Sequence, residues 1–215
     1  PSSDRRHPAS AIALVQASLA EVGHVPISQP YDTRGQSFAN IAAELTGADR
    51  RDEIVVVGAH YDTHKDSPGA DDNGSAVAAL LELARHFARQ QVPRTLRFVA
   101  FTNEEAPFTR RKDMGSRVYA RTCRERGDNI TAMICLESLG YYSDEPGSQW
   151  LSLGGLLLPR QGDFLALVAN RPSRKLLARV VEALSKQQGP LSYRPLVLPT
   201  NFPGAWSSDH WSFWR

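Results

Sequence analysis

Three short runs of continuous apolar residues constrain this chain most: Ile54-Val55-Val56-Val57-Gly58-Ala59, Leu96 to Thr102, and Ala132 to Leu136. None alternates apolar with polar residues, so each reads as a strand buried on both faces. Between them lie helical patterns. Asn73 to about Gln90 carries Val77, Leu80, Leu81, Ala84 and Phe87 along one face, and Met114 to Glu125 forms the second helix. Strands that alternate with helices predict a helix-flanked, mostly parallel or mixed sheet.

The residues at the strand ends are chemically distinctive. The first strand ends in His60-Tyr61-Asp62, the second in Asn103-Glu104-Glu105 and the third in Glu137. Asp72, in Gly69-Ala70-Asp71-Asp72-Asn73-Gly74-Ser75, opens the first of the helices. Open α/β sheets bind ligands at the C-terminal edge of their strands. Taken singly, these residues suit ordinary roles: Glu104-Glu105 a solvated turn, Asp71-Asp72-Asn73 a helix cap. Taken together, buried strands ending in His, Glu-Glu and Glu would bring negative charge together at one edge at a serious desolvation cost. A cation removes that objection.

The donor types point to a metal. Zinc at catalytic sites takes imidazole and carboxylate, and a carboxylate can bridge two ions. On this reading His60 binds one ion, Asp72 bridges, and Glu137 completes the set around His60. Adjacent side chains at a strand end diverge, so Glu105 is assigned as a ligand and Glu104 as the general base. Asp62 is placed to accept the other ring N–H of His60 and so fix its tautomer.

The remainder is plainer. Ala9 to Val22 reads as a helix with Ile12, Leu14, Val15, Leu19 and Val22 inward, closed by Gly23. Strand-like pieces occupy Val25 to Tyr31 and Ser37 to Leu45. Tyr141 to Arg160 reads as loop with one short strand, Phe164 to Val168 as a strand, and Ser173 to Gln188 as a helix. That helix has Leu176, Leu177, Val180, Val181 and Leu184 inward. Pro195 to Gly204, with its prolines, reads as a loop over the active edge. His7, His24, His64 and His86 are assigned to surface or loop.

Composition excludes several classes. A length of 215 residues suits one domain with a full core. The net charge of +2 gives no polyanion-binding field, and Arg110-Arg111-Lys112 reads as a solvated loop, so no nucleic-acid partner is expected. No apolar run approaches the roughly 18 residues of a membrane span. Cys123 and Cys135 lack metal-ligand spacing and read as buried free thiols. Asn129-Ile130-Thr131 fits the glycosylation pattern, with meaning only in a secreting eukaryote. Nothing assigns a compartment.

The segments Val57 to Asp62, Gly69 to Ser75, Phe101-Thr102-Asn103-Glu104-Glu105 and Ser208-Asp209-His210 resemble the di-zinc aminopeptidase family, in the family's order and over nearly the whole chain. That family includes bacterial leucyl aminopeptidases, glutamate carboxypeptidase II and, as a single-zinc branch, glutaminyl cyclases. The resemblance implies a three-layer α/β/α sandwich with a mixed, mostly parallel central sheet, over one catalytic domain spanning 1–215. It makes His60, Asp72, Glu105 and Glu137 ligands of one or two zinc ions and Glu104 the base. Asp209 and His210 fall beside the site in a supporting role. Many members carry Asp where this chain has Glu137. The substrate expected is a peptide or amino-acid derivative, cleaved at its N-terminal bond. Two alternatives accompany it: aminoacyl transfer on a single zinc, and a non-catalytic binding member of the same fold. The family's last ligand is a His beyond the Ser-Asp-His segment. This sequence stops at Arg215 without one, so the expectation is a chain incomplete at its C-terminus. The family also implies a cis peptide bond between Asp72 and Asn73.

Overall fold

The computed structural model describes residues 8–149, 158–187, 189, 192–202 and 207–214. The chain divides into two compact units, one running to Leu139 and resuming at Ser208, the other Gly140–Ser207.

The first unit holds the main sheet. Its strands are β1 (Ile27–Thr33), β2 (Gln36–Leu45), β3 (Arg50–His60), β4 (Arg94–Phe101) and β5 (Asn129–Cys135), in the order β1-β2-β4-β3-β5. The β1–β2 and β2–β4 pairs are antiparallel, and β3 lies parallel to both β4 and β5. Four strands therefore run one way with β2 reversed, which is the expected mixed sheet. β1 and β2 meet in a tight hairpin whose two turn residues, Arg34 and Gly35, both have positive φ. That geometry matches the right-handed twist of a two-residue turn. Pro30 is accommodated because β1 is an edge strand.

Helices cover both faces. α1 (Pro8–Glu21) and α2 (Ala76–Phe87) bury Val15, Leu19, Ala76, Leu80 and Ala84 against Ile41, Ala43, Val57, Ala59, Phe98 and Ala100. On the opposite face, Tyr119 and Cys123 of α3 (Gly115–Arg126) pack on Ala42, Ile54, Val56, Val99 and Phe101, with Phe213 against them. Neighbouring strand residues divide between the two clusters, as the pleat requires. The three-layer sandwich is thus built as the resemblance implied. α1 and α3 close alike: Gly23 and Gly127 sit at φ 92° and 74°, and the next N–H reaches back to the carbonyls of Leu19 and Cys123. Such ends satisfy carbonyls that would otherwise lack donors.

Several expectations need correction. Leu14 points outward at 64% exposure. α2 begins at Ala76 rather than Asn73, because Asp72 (φ −99°, ψ 97°) and Asn73 (φ −127°, ψ 29°) are non-helical. His24 is buried, its Nε2 lying 2.9 Å from the Ala84 carbonyl and tying the end of α1 to α2. Its polar reach across two helices is invisible to a reading based on apolar period. His64 is half-buried and His86 exposed, while His7 lies outside the described residues. Cys123 is buried as expected, whereas Cys135 is half-buried, and both are free.

The second unit contains β6 (Phe164–Ala169) and β7 (Ser192–Val197), paired in parallel, with α4 (Arg174–Ser185) packed on them. Pro195 therefore lies in a strand and not in a loop. Leu176, Leu177, Val180, Val181 and Leu184 of α4 are half-buried, and none is fully buried. The loop expected over Tyr141 to Arg160 is joined by an isolated pairing of Ser143 with Gly162, and residues 150–157 lie outside the described set. No helix among the described residues is long and apolar enough to cross a membrane.

Candidate metal centre

Register explains why the strand ends converge. β3 and β4 run in parallel with His60 opposite Phe101, and the Tyr61 N–H continues the ladder to the Phe101 carbonyl at 2.8 Å. On the other side Leu136 N donates to the Gly58 carbonyl at 2.8 Å. His60, Glu104 and Glu137 are thereby carried to one edge of adjacent strands. Asp72 enters from the kinked turn Ala70–Ser75, and the bond from Asp72 to Asn73 is cis, as the resemblance implied. A second cis bond precedes Pro107.

The Nε2 atom of His60 is the centre of the cluster. It lies 3.2 Å from Asp72 Oδ1, 3.2 Å from Glu137 Oε1 and 3.9 Å from Glu104 Oε2. His60, Asp72 and Glu137 each offer one donor atom, all within 4.8 Å of one another. His60 Nδ1 lies 3.0 Å from the backbone carbonyl of Asp62, which can only accept. Nδ1 is therefore protonated, and in the neutral ring Nε2 carries a lone pair. Either a proton on Nε2 or a metal cation among the carboxylates relieves the repulsion between that lone pair and their oxygens. Asp72 Oδ1 is buried and makes no well-formed hydrogen bond, its 3.2 Å approach to His60 Nε2 being an ion-pair contact. Imidazole nitrogen plus two carboxylates is a donor set that suits zinc, so the residues present fit a metal.

The same carboxylates favour a proton at His60 Nε2, which zinc would have to displace. Burial works against a charge on His60, yet Asp62, Asp72 and Glu137 outweigh it and hold the imidazole far above its usual range. The His60 contact keeps Asp72 below the ordinary carboxylate value. Glu104, 6% exposed, is pushed up to about 9 by burial; His60 opposes this and the charges of Asp209, Glu137 and Asp62 add to it. Glu105 is half-buried, raised by burial first and then by the charge of Asp72. It does not join the three-donor group of His60, Asp72 and Glu137. Asp209 is fully buried, lifted to about 7 by burial, and both its carboxylate oxygens lack hydrogen-bond partners. His210 packs against Trp214 with ring centroids 4.8 Å apart and the ring planes tilted by 58°.

Asp62 differs from expectation. Its carboxylate oxygen is 3.6 Å from His60 Nδ1, too far for a good hydrogen bond, and its backbone carbonyl orients the ring instead. The carboxylate is engaged elsewhere, accepting the N–H of Glu104 and of Glu105, each at 3.1 Å.

Three further residues organise the site. Ser208 Oγ donates to Glu137 Oε2 in a short hydrogen bond and lies 3.3 Å from Cys135 Sγ. Asn73 donates to the Leu136 carbonyl at 3.2 Å and accepts the Ser138 N–H at 3.0 Å, bracketing Glu137 from α2's approach. Asn40, wholly buried in β2, accepts the Thr102 N–H at 3.1 Å. The one available signal for Asn40 was a polar amide set inside the apolar run Ala39-Asn40-Ile41. Ser208 stood in the Ser-Asp-His segment but carried no assigned role.

Known proteins resemble this chain in sequence and fold. The model of peptidase family M28 matches residues 40–215. An uncharacterized Escherichia coli K12 protein, YfbL, is 38% identical over 199 residues, covering 87% of this chain and 59% of its own length. A probable zinc metalloprotease of Pyrenophora tritici-repentis is 34% identical over 120 residues, 52% of this chain and 26% of that protein. The chain thus spans less than two thirds of either relative. Among solved structures, the zinc aminopeptidase BSAP of Bacillus subtilis superposes with TM-score 0.58 at 25% identity, covering 84% of this chain and 38% of that one. A glutaminyl cyclase of Bacteroides thetaiotaomicron gives TM-score 0.67 at 14% identity, covering 98% and 73%.

Proposed function

The chain belongs to peptidase family M28, and from that premise we propose that it is a zinc-dependent exopeptidase cleaving the N-terminal peptide bond of its substrate. The observation that carries this reading is the convergence of His60, Asp72 and Glu137 donor atoms within 4.8 Å, with Glu104 buried beside them. His60, Asp72 and Glu137 would hold zinc, and Glu105 would help hold a second ion. Zinc, when bound, supplies a Lewis acid that polarises the scissile carbonyl and eases deprotonation of water.

The remaining work belongs to the chain. Glu104 takes a proton from the attacking water at a carboxylate oxygen and returns it to the leaving amine. Burial favours the protonated form through which that shuttle passes, and a neighbouring cation favours the ionised form. Asp62 fixes the backbone from which Glu104 and Glu105 project, and Ser208 fixes Glu137. Glu105 and Asp72 present negative charge to the substrate's free α-ammonium group.

A second reading is cyclising aminoacyl transfer on one zinc. What favours it is that three donors meet at one point among the described residues, without Glu105. Mass spectrometry of two zinc-supplemented reactions separates the readings. A peptide beginning with Leu should lose its first residue by hydrolysis. If it stays intact while a peptide beginning with Gln loses ammonia, cyclisation is the activity.

A further inference from the structure

The turn Thr102 to Glu105 is tied down along its whole length. Thr102 N donates to Asn40 Oδ1 at 3.1 Å, and the Thr102 carbonyl accepts the Gly115 N–H at 2.9 Å. Asp62 accepts the N–H groups of Glu104 and Glu105, and Thr109 Oγ1 donates to the Glu104 carbonyl at 2.7 Å. Asn103, in the middle, sits at φ 57° and is 3% exposed. That left-handed backbone is uncommon outside glycine, and Asn tolerates it better than most. The Asn103 side chain has to find a partner inside the protein, because water does not reach it.

Its partner comes from the edge of the sheet. Asn103 Nδ2 donates to Tyr31 Oη at 2.9 Å, and the same hydroxyl donates to the Asp113 carbonyl at 3.0 Å. Tyr31 lies in β1, 72 positions earlier in the chain. The hairpin that carries it is held over the same loop by further contacts. Thr33 Oγ1 donates to Asp113 Oδ2 at 3.0 Å, and the Arg34 guanidinium lies 4.5 Å over the Phe108 ring. One hydroxyl thus joins the start of the loop, at Asn103, to its end, at Asp113.

We propose that Tyr31 is a positioning residue for the Glu104-Glu105 turn, acting through Asn103 to fix where the two carboxylates point. The inference rests on Glu104 being the general base of the proposed reaction. Without the hydroxyl, the buried Asn103 amide has no acceptor, and the turn shifts to find one. The next residue is Glu104, so the displacement passes directly to the base, and small misplacements of a reacting group are costly in rate. Tyr31 itself touches neither substrate nor metal.

The test uses the full chain loaded with zinc and the variant Tyr31→Phe. Expected is a fall of about 10-fold in kcat, the scale seen for residues that support a site from behind, with KM and zinc content as in wild type. Hydrogen exchange read by mass spectrometry should quicken at the Glu104 and Glu105 amides and stay unchanged in α2. A hydroxyl that merely stabilised the hairpin would lower the melting temperature and leave kcat per folded molecule untouched. Asn103→Gly supplies a second variant, since glycine keeps the left-handed backbone and removes the amide. It should reproduce the loss, and the double variant should be no worse than either single one. Unchanged exchange at the turn, or losses that multiply in the double variant, overturns the proposal whether or not the wild type is a peptidase. A wild type without turnover whose turn still loosens in Tyr31→Phe overturns the peptidase reading alone.

Discussion

Glu104 and Glu105 are neighbours in sequence with different surroundings, one buried at 6% exposure and the other half-buried. Glu104→Gln should therefore keep zinc bound while lowering kcat by at least the roughly 100-fold expected of a lost general base. Glu105→Gln should instead weaken zinc binding; a calorimetric titration in which the two effects are exchanged would reverse the assignments. Ser208 makes the next prediction. Its hydroxyl engages Glu137 Oε2 and leaves Oε1 facing His60 Nε2. Ser208→Ala should weaken zinc binding by about 10-fold, the lower end for outer partners of a metal ligand. Wild-type affinity in that variant would show that Glu137 needs no support from Ser208. At this scale the donors were legible in the sequence because each closes a buried strand or opens a helix. Their supports were not. Ser208 and Asn40 act across the sheet on residues far away in the chain, and nothing local marks a serine or an asparagine for that task.

Elements were legible wherever an apolar period existed. β3, β4 and β5 fall where continuous apolar runs placed them, and α2 and α3 match their periodic faces. The period misled where chemistry overrode it: the expected start of α2 is displaced to Ala76 because Asp72 must aim its carboxylate at His60. Charge pairing between elements was also hidden. Arg97 of β4 stands opposite Glu44 of β2, hydrogen-bonds it at 2.7 Å, and shares Asp128 with Arg126 of α3. Burial works against the charge on Asp128, but the two guanidinium groups outweigh it and hold the carboxyl down at about 2. Since the folded value lies below the unfolded one, the stabilisation is present above pH of about 4 and is lost as pH falls toward the folded value. Its size is on the order of 2 kcal/mol. Asp128→Asn should lower the melting temperature at neutral pH, and the gap to wild type should narrow as pH falls from about 4 to 2. A gap that stays constant through that range would show that the carboxylate's charge is not what joins these elements.

On the scale of the whole molecule, the candidate centre belongs to one unit, although its residues run from His60 to Asp209. The segment from Ser208 returns to that unit across the intervening Gly140–Ser207, which carries its own parallel strand pair and α4. The return places Ser208 beside Glu137, buries Asp209 completely and packs Phe213 on Phe101, their ring centroids 6.2 Å apart. A sequence pattern could suggest that Ser208-Asp209-His210 belongs to the site; only the fold shows that it holds Glu137 from behind. On the proposed reading, hydrolysis depends on zinc held by His60, Asp72 and Glu137. The most direct test strips the purified chain with a chelator, then titrates zinc back while monitoring release of the first residue from a Leu-initiated peptide. Expected are no turnover in the stripped protein, recovery in step with zinc bound, and no recovery in His60→Ala at the same zinc concentration. Full turnover after stripping, or full recovery in His60→Ala, would contradict that dependence.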